Sequence, residues 1–392
     1  MSNNPLGDWI FGKTGGADIR KYQIGKLRET LHLVMEKSDF YKNHYRGFDP
    51  GSIFSFEDFE KLPFLTADDL SVCGRQMLCV SPGEIERIVT LQTSGTAGAP
   101  KRVYFTAADQ ELTTDFFSVG MRCMIDEKDR FMILLPYKTP GSVGDLLGRG
   151  LGRIGCVVFP YGFVEDFANA CAFVIENSIT SLVGSPVQVL KLAEASRMLG
   201  MDIKLDSVLL STDYVPDAIA KRLAAIFKCR VFEHYGMTEM CFGGGVYCEH
   251  LLGYHMREAD LYFEVISEAG KTLPDGSYGE IVFTTLTRTG MPLVRYRTGD
   301  YGRFISQRCK CDARLRLMEK VKRRVGGGVK IGNGWFHICD FDEMLFSCDR
   351  VVDYDIALKD GRVCLCIITA EDMIGDAEQR GGPFKRTIRS SE

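Results

Sequence analysis

The chain has no long hydrophobic run and no strong charge of one sign, and each absence removes a class of function. Its longest apolar stretches, such as FMILLPY at 131–137, fall far short of the ~20 residues that cross a bilayer as a helix. The opening MSNNPLGDWIFGKTGG lacks the basic start and apolar block of a secretory signal. With 48 Lys and Arg against 52 Asp and Glu, nothing draws the chain as a whole toward nucleic acid or an anionic membrane. The expectation is a cytoplasmic protein with neither partner, and room remains for a small anion in a local pocket.

What is present is an ordinary globular composition, 45% hydrophobic and 26% charged, in 392 residues, more than one core usually covers. Fourteen cysteines without a secretion signal favour reduced thiols and a metal site over a disulfide framework. Cys156, Cys171, Cys229, Cys364 and Cys366 sit among apolar neighbours and read as small core residues.

Residues 17–46 place Tyr22, Ile24, Leu27, Leu31, Leu33 and Val34 at helical spacing, which predicts an amphipathic packing helix. From FMILLPY onward, short β-type runs (CVVFPYG, SLVGSP, SVLLST, RVFEHYG) alternate with helical stretches near 165–177, 186–199 and 216–227. Such alternation predicts an α/β fold with a parallel-rich sheet. Between LYFEVI at 261 and LVRYRTGD at 293, strands separated by turn signals predict a β-rich, more antiparallel lobe. The predicted division is a large domain over 1–320 and a small α+β segment over 321–392, opening on the glycine-rich joint KRRVGGGVKIGNG.

LQTSGTAGAPKRVY at 91–104 joins two β-type stretches through a loop of hydroxyl and glycine residues ending in Lys101. It is not a Walker loop: Pro100 stands where the second glycine belongs, and RVYFT continues as a strand, not a helix. Nor does it contain Gly-x-Gly-x-x-Gly. Backbone amides at glycines, hydroxyls at Thr93, Ser94 and Thr96 and the Lys101 ammonium suit an oxyanion. A polar hairpin turn has the same composition.

TSGTAGAPK at 93–101, EHYGMTE at 233–239 and YRTGD at 296–300 follow in that order. Together they resemble the core motifs of the adenylate-forming superfamily of acyl-CoA synthetases, adenylation domains and luciferases. GSP at 184–186, CEHLLGYH and CKC after TGD resemble its phenylacetate-CoA ligase branch. The resemblance covers about residues 20–320. It implies that Thr93, Ser94, Gly95, Thr96, Gly98 and Lys101 hold the β- and γ-phosphates of ATP, that Glu239 helps bind Mg2+, and that Thr238 contacts the α-phosphate region. Glu233, His234, Tyr235, Gly236 and Met237 would line the nucleotide site, and Asp300 would bind both ribose hydroxyls. Tyr137, Gly184, Ser185 and Pro186, with Tyr235 and Gly236, would form the acid pocket over a glycine-lined floor at CFGGGV, 241–246. The implied reaction activates a carboxylic acid, aryl or arylacetic, as its adenylate and passes it to coenzyme A. A non-CoA acceptor and a catalytically quiet nucleotide-binding homologue are the alternatives, and a homodimer is implied by the branch.

Cys248, His255, Cys309 and Cys311 make a full tetrahedral set for a structural Zn2+; His250 competes with His255, and the branch's Gly-x-His pattern favours His255. Two departures stand out. At the hinge, Arg323 takes the arginine position, while Val325 or Gly326 stands where the family has an acidic residue. Near the end of the chain the family's Gly-Lys is missing, and Lys385 and Arg386 in GGPFKRTIRSSE are substitutes out of context; they read equally as a solvated tail.

Overall fold

The computed structural model describes residues 5–16, 18–92, 100–311, 313–359, 362–375 and 389–390. The chain divides into two compact units, Met1–Cys123 with Tyr235–Val321 and Met124–His234 with Lys322–Glu392.

In the first unit, the helix expected over 17–46 is two helices, Ile19–Lys37 and Asp39–His44. Ser38 separates them because it leaves helical geometry and its hydroxyl accepts from the Tyr41 amide, capping the second helix. The buried stripe Leu27, Leu31 and Val34 follows the predicted periodicity, but Gln23 and Thr30 lie on it too. Gln23 donates to the Glu258 carbonyl at 2.9 Å and Thr30 to the Thr285 carbonyl at 3.3 Å. Burial is tolerable for both because their polar atoms are satisfied.

The strands Ile85–Leu91 and Lys101–Thr106 pair antiparallel, with Leu91 opposite Lys101. Thr106 then caps the helix Ala107–Met121 through a capping box with Asp109. The β-rich lobe contains Leu261–Ile266, Gly279–Thr285 and Tyr296–Gly302 as antiparallel neighbours. Gly245–Val246, Tyr254–Met256, Leu317–Met318 and Phe304–Ile305 form a second antiparallel set.

In the second unit, five strands run parallel in the order Arg230–Tyr235, Ser207–Leu210, Ser181–Gly184, Arg130–Ile133 and Val157–Pro160. Ser181–Gly184 and Ser207–Leu210 are buried at every position; strands covered on both faces need continuous apolar runs, which SLVG and SVLL supply. Val157–Pro160 is half-exposed and ends on a proline, as an edge allows. The helices Val143–Ile154, Phe167–Glu176, Pro186–Met198 and Asp217–Phe227 connect the strands. Pro186 opens its helix at a position where no amide is needed. The mixed α/β fold with a parallel-rich sheet is as the sequence predicts.

The C-terminal segment of this unit comprises the hairpin Val329–Ile331 with Gly334–Phe336, the helix Ile338–Phe346 and the long hairpin Val351–Lys359 with Arg362–Thr369. It is not a detached appendage. Phe341, Leu345, Phe346, Val351, Tyr354 and Ile356 share one apolar core with Val189, Leu190, Ile219 and Leu223 of the helices beside the parallel sheet. Arg222 donates to the carbonyls of Asp349 and Val351, each at 2.7 Å, and Lys191 pairs with Asp353 at 2.6 Å. Two cysteine expectations fail here. Cys364 and Cys366 are exposed, because Arg362–Thr369 is an edge strand of its three-stranded sheet.

Candidate active site

The motifs of the first unit converge through side chains. Lys101 opens the second strand of the N-terminal hairpin, and its ammonium lies 2.6 Å from Oε1 of Glu239. Glu239 sits in the single-turn helix Thr238–Met240 and its side chain is 2% exposed. Tyr296, the first residue of YRTGD, donates its hydroxyl to the same Oε1 at 3.1 Å and accepts from Lys101 at 3.5 Å. Arg288 donates to the Glu239 carbonyl at 3.2 Å and to the Tyr104 carbonyl at 2.7 Å. A carboxylate this deeply buried is tolerable only with a cation and donors around it.

The backbone after Glu239 is tightly wound. Cys241 and Phe242 both occupy the left-handed region at φ 55° and 64°, uncommon for residues with a Cβ. The turn is held by Cys241 N donating to Thr238 O, Phe242 N to Met237 O and Gly244 N to Tyr235 O, at 2.9–3.0 Å. The glycines that follow are close-packed on the side where a Cβ would stand. A Cβ on Gly243 would stand 2.5 Å from the Phe116 ring, and one on Gly245 would stand 2.9 Å from Sδ of Met256.

Asp300 lies one residue past Gly299, whose φ of +73° suits a residue without a Cβ. The Asp300 amide donates to Thr298 Oγ1 at 2.9 Å, and its carboxylate accepts from the Tyr235 hydroxyl at 3.0 Å. Gly236, Met237 and Thr238 continue from Tyr235 into the turn. Thr93, Ser94, Gly95, Thr96 and Gly98 lie outside the described residues, as do Lys385 and Arg386.

The other expected site residues belong to the second unit. Glu233 is buried on the strand Arg230–Tyr235. Its neighbour His234 has Nδ1 3.1 Å from Ser211 Oγ, and burial pushes its imidazole down to about 4. Tyr137 is half-buried against Gly162. Gly184 ends a parallel strand, and a Cβ there would meet Val189 at 2.8 Å; Ser185 and Pro186 open the next helix. Arg323 is exposed and 3.5 Å from Asp340.

A second constellation occupies the first unit. The ligand atoms of Cys248, His255, Cys309 and Cys311 all lie within 4.8 Å of one another. Cys248 and Cys309 sulfurs are 3.5 Å apart, and Cys311 Sγ is 3.3 Å from His255 Nε2. Zinc bonds of about 2.3 Å to sulfur and 2.0 Å to nitrogen would set tetrahedral ligands at roughly such separations. Burial, then the charge of His250, pushes the His255 imidazole down to about 4, which keeps it neutral and able to coordinate. Burial pushes the Cys248 and Cys311 thiols up, so a divalent cation is what would make thiolates of them. The donor set fits zinc. His250 is outside the cluster and lies beside Glu249, 3.8 Å away.

Comparison with known proteins meets this geometry directly. The family model for the AMP-binding enzymes matches residues 65–287. The chain belongs to the AMP-binding enzyme family. It is 26% identical over 299 residues to the phenylacetate-coenzyme A ligase of Pseudomonas putida, covering 73% of this chain and 67% of that protein. It is 27% identical over 305 residues to the phenylacetate-coenzyme A ligase of Thermus thermophilus, covering 75% and 67%. Among solved structures, 2-hydroxyisobutyryl-CoA ligase in the postadenylation state superposes with a TM-score of 0.80 at 20% identity, covering 91% of this chain and 79% of that one. The anthranilate CoA ligase AuaEII gives 0.52 at 17% identity, over 78% and 62%. These likenesses show the fold. Tyr296 and Arg288 are polar partners of Glu239 that sequence reasoning did not assign. Tyr296 was in view inside YRTGD, whereas Arg288 carries no local signal.

Proposed function

We propose that the chain uses ATP to activate a carboxylic acid, aryl or arylacetic, as its acyl-adenylate and then transfers the acyl group to coenzyme A. The observation that carries this reading is the convergence of three distant motifs on one buried carboxylate and its surroundings, with Lys101 at 2.6 Å and Tyr296 at 3.1 Å from Glu239.

In this reading the carboxylate oxygen of the acid attacks the α-phosphorus of ATP, the bond to the β-phosphate bridging oxygen breaks, and pyrophosphate leaves. The thiol sulfur of coenzyme A then attacks the acyl carbonyl; AMP departs and the thiol proton is lost to water. Alignment and charge neutralisation supply most of the rate. Lys101 is the cation placed to meet incoming phosphate oxygens, with Thr238 at the α-phosphate and Asp300 on the ribose diol, which a single carboxylate suits. Glu239 is the residue that would hold Mg2+, a cation that supplies positive charge against the triphosphate. Cys248, His255, Cys309 and Cys311 would hold a structural Zn2+, and residues 1–320 would act as the adenylating domain with 321–392 as its C-terminal partner. A cytoplasmic setting is supported by fourteen free cysteines, and a homodimer completes the reading.

The test is acid-dependent exchange of labelled pyrophosphate into ATP across a panel of aryl and arylacetic acids. Wild type is expected to exchange, Lys101→Ala and Glu239→Gln to lose roughly 10²–10³-fold, and Lys385→Ala to report whether that lysine supplies a cation to the adenylation step. Acyl-CoA detected by mass after coenzyme A is added separates the thioester product from another acceptor. Nucleotide binding without exchange for any acid would sink the reading.

A further inference from the structure

The strand Tyr254–Met256 stands between the Cys/His cluster and the carboxylate read as the ribose ligand. Successive side chains of a strand point to opposite faces. His255 faces Cys311, and Tyr254 faces the other way, its ring 5.9 Å from that of Tyr235 and 4.9 Å from that of Tyr247. Tyr247 is itself the residue before Cys248, so each of these two rings adjoins a ligand of the cluster in sequence. All three tyrosines are buried, at 8%, 7% and 5% exposure for Tyr235, Tyr247 and Tyr254.

At the far end of this stack, the Tyr235 hydroxyl donates to Asp300 Oδ2 at 3.0 Å. Tyr235 has little freedom of its own. The Gly244 amide donates to its carbonyl at 2.9 Å, and a Cβ on Gly244 would come within 3.3 Å of its ring. The ring is therefore confined by the turn on one side and by Tyr254 on another. Residues 248–253 contain no helix or strand, and the strand that follows is held by pairing with Gly245–Val246 and Leu317–Met318 together with His255 in the four-ligand cluster.

We propose that Tyr254, backed by Tyr247, is a positioning residue that passes the order of the metal-bound cluster to Asp300 through Tyr235, so that zinc occupancy sets the affinity for the nucleotide. This rests on the reading of Asp300 as the ribose ligand and of the cluster as a zinc site. Losing either the metal or the Tyr254 ring frees Tyr235 to tilt, and the carboxylate loses its aim.

The experiment measures ATP affinity by calorimetry in the presence of Mg2+, with zinc content determined for every sample, on wild type, Tyr254→Phe and Tyr254→Leu, each as loaded and after chelation. Tyr254→Phe keeps the ring and is expected to bind ATP within twofold of wild type. Tyr254→Leu is expected to keep its zinc and bind about tenfold more weakly, its KM for ATP rising more than its kcat falls. Chelation is expected to weaken wild type about as much, and to add little to Tyr254→Leu, because both remove the same restraint. Unchanged affinity in Tyr254→Leu, or equal losses on chelation in wild type and Tyr254→Leu, would overturn the coupling. Wild type that binds zinc but no ATP would overturn the ribose reading first and the coupling with it.

Discussion

At the scale of single residues, the Tyr296 hydroxyl and the His234 imidazole give separable expectations. Tyr296→Phe removes one hydrogen bond to the buried Glu239 carboxylate, which also pairs with Lys101. Bonds to charged groups are worth about 1.5–3 kcal/mol, so pyrophosphate exchange should fall roughly 10- to 100-fold while thermal stability changes little; an unchanged rate would remove Tyr296 from the site. His234 is held neutral by burial, with its pKa pushed down to about 4 from 6.5. Between those values an unfolded chain takes up a proton that the folded one refuses, so stability falls as pH drops through that window, by up to about 3 kcal/mol. Urea midpoints measured at pH 7.5 and pH 5 should diverge less in His234→Gln than in wild type, and parallel shifts would argue against it.

At the scale of elements, the turn through Gly243–Gly245 has no spare volume. Gly243→Ala would drive a methyl into the Phe116 ring, an overpacking expected to cost about 1–3 kcal/mol and to appear as a lowered denaturation midpoint. This contact also shows where reading the sequence stops. The parallel strands and their helices were legible because SLVG, SVLL and the amphipathic stretches encode burial locally. The environment of Gly243 was not, because the atom that fills it belongs to a helix more than a hundred positions earlier. Lys101, Glu239 and Asp300 could be singled out from motifs, while the Tyr296 bond to Glu239 spans 57 positions with no periodicity to announce it. Cys364 and Cys366 misled for a related reason: a β-type run looks the same whether it becomes a central strand or an edge.

At the scale of the whole molecule, the C-terminal segment is structural material for the second unit. Phe346 is fully buried in the shared core and packs at a tilt against Tyr354, ring centroids 5.7 Å apart. Phe346→Ala is expected to cost about 3–5 kcal/mol, and a chain ending at Val321 should be recovered as aggregate, the parallel sheet's helices having lost the apolar surface that covers them. A soluble, cooperatively melting truncation would contradict this. An amphipathic helix or hairpin announces that it will be covered, not by what, which is why residues 321–392 read from sequence as an appendage.

The two units are interleaved along the chain, each assembled from segments on both sides of the other. The first unit has all its segments once Val321 is made, but 124–234 must wait through 235–321 for 322–392 to follow, several seconds at about 5–20 residues per second. Nascent chains will therefore carry bare apolar helices of the second unit until the last stretch of synthesis. Yield in a host should depend on holding chaperones and slower, cooler expression far more than on the stability of the finished protein.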